Sequence, residues 1–115
     1  MGRATYIELS EEDAKTLDFA LDWAMRPMAG EQIAILLCRL SAHKKQTQTD
    51  SALAAILARD FMIELSHYPA GAVWWSIDHL IRSKEPFYPT MGEVLQLADN
   101  FLQVLIKAQK LREAK

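Results

Sequence analysis

The sequence predicts an all-α fold: a compact single-domain bundle of about five helices with a long C-terminal helix. Three observations predict it. Half of the 115 residues are hydrophobic, while Gly and Pro number only four each. Apolar residues recur at helical spacing in five separate stretches. No stretch shows the alternation of a strand. A chain of this length fits one domain, with enough apolar surface to bury a core.

The first helix is expected over 10–26, "SEEDAKTLDFALDWAMR". Ser10 with Asp13 makes a capping-box-like start, and acids crowd the first turn, where the helix dipole favours them. Leu17, Ala20, Leu21, Ala24 and Met28 form the apolar stripe, Asp18 and Asp22 share another face, and Pro27 ends the helix at Met25 or Arg26. The second helix, 31–43, carries Ile33, Leu36, Leu37 and Leu40 on its buried side. The polar run "KKQTQT" follows as a loop. Asp50 caps the third helix, 50–67, whose apolar positions are Leu53, Ile56, Leu57, Phe61 and Leu65. Ala54 and Ala58 there allow close approach of a neighbour.

Two Tyr–Pro pairs punctuate the rest. Proline suits the first position of a helix, where its missing N–H costs nothing, and it forces the preceding residue out of helical geometry. Tyr68–Pro69 therefore reads as a tight corner, with Pro69 opening a fourth helix over 69–83. Val73, Ile77, Leu80 and Ile81 are its core stripe, with Trp74 at the edge. At Tyr88–Pro89 the next residues, Thr90 and Glu93, form a T-x-x-E capping box. The fifth helix, 90–113, meets no breaker after Gly92. It carries two apolar stripes, Val94, Leu97, Ala98, Phe101, Leu105 and Ala108 on one side and Leu95, Leu102 and Ile106 on another. Such a helix is either central in the bundle or shared with a partner.

The net charge of −2 argues against a general nucleic-acid binder. The sign is uneven, however. Residues 1–31 hold seven acids and three bases, whereas residues 105–115 hold four bases and one acid. The single cysteine, Cys38, rules out an internal disulfide and suits a reducing compartment. No apolar run approaches the ~20 residues of a membrane span. The start "MGRATYIELSEED" has no signal-peptide core, and Tyr6 stands where myristoylation wants Ser or Thr. A cytoplasmic protein is the expectation.

No catalytic, cofactor-binding or metal-binding motif is present. Neither G-x-x-x-x-G-K-[ST] nor G-x-G-x-x-G occurs, and His43, His67 and His79 do not combine with Cys38 at a metal-ligand spacing. Cys38, within "ILLCRL", is expected to be a buried thiol, and Asp60 with Glu64 a solvated face. A non-enzymatic protein without a cofactor follows. Trp75, His79 and Arg82 share a face of the fourth helix, with Tyr88 across the corner, and form a candidate partner-binding patch. The competing reading packs Trp75 under the fifth or first helix. Lys107, Lys110 and Arg112 would steer an acidic partner. Leu102 and Ile106 are candidates for a homodimer seam.

The order of these parts resembles small phage replication proteins of the helicase loader/inhibitor type, which act without ATP hydrolysis of their own. Their pattern is a Tyr–Pro corner, an alanine-rich helix, then Phe-x-Pro-Thr-x-x-Glu before the last helix. Leu65, Tyr68, Pro69, Val73, Ile77, Phe87, Pro89, Thr90 and Glu93 match it, within residues 31 to about 102. The acidic first helix lies outside the match, and the basic, helix-prone end departs from the flexible segment that such proteins often carry. The resemblance implies a factor for DNA replication that binds a replicative helicase as loader or inhibitor. The alternative is an inhibitor or adaptor aimed at another host machine, such as a nuclease complex or a polymerase.

Overall fold

The computed structural model describes residues 10–46 and 50–114. Gly2, Arg3, Tyr6, Glu8, the loop positions 47–49 and Lys115, on which expectations were placed, lie outside these residues. Five helices follow in order: α1 (Glu11–Met25), α2 (Gly30–His43), α3 (Ser51–Leu65), α4 (Ala70–Arg82) and α5 (Met91–Glu113). There is no strand among the described residues, only isolated bridges at Pro27–Pro69 and Lys45–Phe87. The all-α bundle with a long last helix is thus what forms.

Local chemistry sets three of the starts. The Ser10 hydroxyl accepts from the Asp13 N–H at 3.1 Å. The Asp50 carboxylate accepts from the Ala52 and Leu53 N–H groups at 2.9 and 3.1 Å. Thr90 accepts from the Glu93 N–H at 3.2 Å, the first half of the expected capping box. Pro69 is a correction. It does not open α4 but sits one place before it, as an extended N-cap with ψ 156°. The α4 start has no side-chain cap. Instead the Ala70 N–H donates to the Arg26 carbonyl at 2.6 Å, which joins the end of α1 to the start of α4.

α4 is the axis of the bundle and packs on α5, α2 and α1. Ala70, Ala72, Val73, Ser76, Ile77 and Leu80 are buried along it. The Ser76 hydroxyl is satisfied by the Ala72 carbonyl one turn back. Gly71 lets α1 come close, because a Cβ there would lie 2.6 Å from the Ala24 Cβ. The larger core cluster joins α2, α3, α4 and the start of α5 around Ile33, Leu40, Leu65, Ile77 and Val94. A smaller one joins α1, α4 and α5 around Ala24, Ala72 and Leu105.

Three expectations about burial need correction. In α1, Leu17 and Ala20 are exposed; the packed side begins at Leu21. In α3 only Phe61 and Leu65 are buried, and Leu53, Ile56 and Leu57 face solvent. Cys38 is exposed, not buried. The α2 stripe runs through Ile33, Leu36, Leu37 and Leu40, and one residue past Leu37 turns about 100° out of the core. The bundle is long, at 53 × 34 × 21 Å, with a radius of gyration of 16.9 Å against ~13 Å for an average domain of this size.

Candidate functional site

An apolar groove of about 330 Å³ opens between α3 and the segment that leads into α5. One wall is Ala54, Leu57, Ala58 and Phe61; the other is Tyr88, Pro89, Thr90 and Met91, with Gln46 at one end. Seven residues separate Ala54 from Phe61, two turns of helix, so both lie on the core-facing side of α3. Phe61 is covered by the bundle. Leu57, one turn earlier, is 40 % exposed, and Leu53, another turn earlier, 41 %. α3 therefore carries its core stripe beyond the core. The small side chains of Ala54 and Ala58 leave the space that forms the groove.

The second wall is held by α2. The Lys44 ammonium is buried and donates to the Ser83 carbonyl at 2.9 Å, the Ser83 hydroxyl at 3.1 Å and the Glu85 carbonyl. Next to it the Lys45 N–H donates to the Pro86 carbonyl at 2.8 Å, and the Lys45 carbonyl accepts from the Tyr88 N–H at 2.7 Å. The end of α2 thus fixes the corner that Pro86 and Pro89 stiffen. Tyr88 stands edge-on to Phe61, with ring centres 5.9 Å apart. Burial raises the pKa of its phenol, partly offset by a hydrogen bond with Ser41. The phenol stays neutral, and the groove has an uncharged lining. Such a surface suits an apolar side chain from another molecule.

The predicted patch keeps Trp75, His79 and Arg82 on one face of α4 but does not include Tyr88. Trp75 is half-buried and packs on Phe101 of α5, with ring centres 6.0 Å apart, within the α1–α4–α5 cluster. Its indole is spent on the fold, as the competing reading has it. His79 is exposed but also lies against Phe101. Arg82 pairs with Asp78 at 2.9 Å on its own helix. Tyr88 belongs to the other cluster, beside Phe61, so the structure separates it from Trp75.

The basic end of α5 divides as well. Lys107 and Lys110 are exposed. Arg112 is bound to α1: it donates to Asp22 at 2.6 Å and to the Asp18 carbonyl at 3.3 Å, and its other Nη donates to Gln109 at 2.7 Å. Leu102 packs into the α1–α4–α5 cluster, and Ile106 is half-buried.

Of the residues that line the α3 groove, Leu57 and Phe61 carry the pattern of core positions, Thr90 that of a cap, and Tyr88 is a predicted partner-binding residue. The missed signal was the pair Ala54 and Ala58, read as allowing a neighbour in the bundle and found open. A second surface was not read at all. Phe19 and Trp23, on α1, are 73 % and 40 % exposed. No group of His, Cys, Asp and Glu able to hold a metal occurs among the described residues. No described helix is long and apolar enough to cross a membrane. No protein family matches the sequence, and neither a curated protein nor a solved structure is similar enough to match.

Proposed function

We propose that this protein is a non-enzymatic binding factor, and that its partner places apolar side chains in the groove between α3 and Tyr88–Met91. The observation that carries the reading is the open half of α3. Leu53 and Leu57 lie on the same side as buried Phe61 and Leu65, yet they remain 41 % and 40 % exposed beside the groove. An apolar stripe left open beside a preformed groove is how helical proteins receive a partner's anchor residues. The groove wall is preformed by the Lys44 and Lys45 hydrogen bonds, which lowers the ordering cost of binding.

The resemblance to phage replication proteins supplies the partner to test first, a replicative DNA helicase. Loading and inhibition are the two directions that binding would take. The experiment is a titration of purified helicase, without added nucleotide, against the wild-type protein and Leu57→Lys. Binding by the wild type, weakened tenfold or more by Leu57→Lys with an unchanged melt, is the expected result. A helicase that binds neither protein removes the replication reading. Capture of a nuclease complex or polymerase through Leu57 would then favour the adaptor alternative. Wild-type and Leu57→Lys proteins that bind equally well would place the partner elsewhere on the surface.

A further inference from the structure

The outer face of α1 poses a different question from the α3 groove. Its core side is marked by Leu21, Ala24 and Met25. At about 100° per residue, Phe19 points directly away from that side. Glu12, Lys15 and Trp23 lie within about 40° of Phe19 on the same scale, Arg26 follows on that side as the C-cap just past the helix end, and all five side chains are exposed. Among the described residues no ring pairing uses Phe19 or Trp23. Glu12, Lys15 and Arg26 have no ion-pair partner among the described residues. Phe19, with 73 % of its surface in water, and the neighbouring Trp23, 40 % exposed, form an apolar pair whose burial by another molecule would be favourable.

The order of residues on this face indicates what covers it. Glu12 precedes Phe19 by seven residues and Arg26 follows it by seven; Lys15 precedes it by four and Trp23 follows it by four. The face is therefore complementary to itself when read backwards. The mixed signs do not suit a uniformly acidic or uniformly basic partner. We propose that this face is a self-association seam, on which a second copy of the chain lays its own α1 antiparallel about a two-fold axis at Phe19. In that pairing Glu12 meets Arg26 of the other copy, and Lys15 meets the Trp23 ring as a cation over an aromatic face. Both contacts occur twice, and the two Phe19 rings meet on the axis. A two-fold interface of this kind is the commonest form of self-assembly. A single helix pair buries less than the ~1,200 Å² of a standard interface, so the dimer is weak and in exchange with monomer.

The test is sedimentation velocity over a concentration series reaching about 1 mM, where an interface of this size populates the dimer. The weight-average mass of the wild type is expected to rise with concentration from that of the monomer towards twice that value. Phe19→Ser is expected to stay monomeric with the helical signal and melt unchanged, because the side chain it removes is outside the core. Glu12→Arg and Arg26→Glu should each weaken association tenfold or more by setting like charges against each other. Mixing those two single variants, or joining both changes in one chain, should restore it. A wild type that remains monomeric throughout overturns the proposal. So does association that survives Phe19→Ser, or that is lost on Leu57→Lys and kept in Phe19→Ser, which would seat the second copy in the α3 groove.

Discussion

Gly71 is the tightest point of the packing. A Cβ built there would approach the Ala24 Cβ to 2.6 Å, its Cα to 3.1 Å and its carbonyl oxygen to 3.2 Å, and two of those three atoms are backbone. Alanine would gain ~1 kcal/mol in helix propensity. Overpacking against backbone costs ~1–3 kcal/mol or more. Gly71→Ala is therefore expected to lower the denaturant midpoint, and Ala24→Gly in the same chain to recover part of the loss. An unchanged midpoint for the single variant would mean that α1 and α4 are not this close in solution. Tyr68 offers a second test at this scale. Its hydroxyl donates to Asp99 at 2.6 Å, and that hydrogen bond, with burial and the nearby carboxylates as smaller causes, pushes its pKa from 10 up to about 12. A raised phenol pKa favours the neutral form in the folded state. The stabilisation is thus complete below pH 10 and is lost as pH rises towards about 12. Comparing unfolding of wild type and Tyr68→Phe across that range should show the difference shrinking. A constant difference would mean that the bond to Asp99 does not form.

Helix starts were the most legible elements, because capping is decided within four residues of chain. Ser10, Asp50 and Thr90 each hold the N–H groups that their spacing predicted. Thr90→Ala is expected to cost ~1 kcal/mol by chemical denaturation. A variant as stable as wild type would show that water replaces the cap at no cost. The faces of the helices were less legible. Periodicity identifies an apolar side, but it does not say how far along the helix a neighbour extends. In α3 the neighbour ends near Phe61, so Leu53, Ile56 and Leu57 have the pattern of core residues and the exposure of surface ones. Cys38 failed differently, since a single outward position within an apolar run is visible only once the stripe is placed. Trp75 had two open readings because α4 packs on both α5 and α1, and aromatic edges on such a helix depend on which neighbour claims them.

Over the whole molecule, the uneven charge of the sequence is partly an internal match. Leu105 of α5 packs near Ala24 of α1, and seven residues on, Arg112 reaches back to Asp22 and Asp18. The two helices therefore run antiparallel, and the basic end of one meets the acidic side of the other. The Asp22 side chain is half-exposed, so a double-mutant cycle on Asp22 and Arg112 should give a coupling of ~0.2–1 kcal/mol that added salt reduces. A coupling of zero at low salt would leave the antiparallel packing to apolar contacts alone. The distribution of caps has a consequence for how this arrangement is reached. α1, α3 and α5 carry side-chain caps, whereas α2 and α4 do not, and the first N–H of α4 is met by a carbonyl at the far end of α1. Nucleation of a helix is costly without such help. On a folding pathway the two uncapped helices should thus acquire structure only as the capped ones dock around them. Thr90→Ala should then slow refolding, while Ile77→Val in α4 mainly speeds unfolding. The reverse pattern in stopped-flow measurements would mean that the central helix forms first and recruits the others.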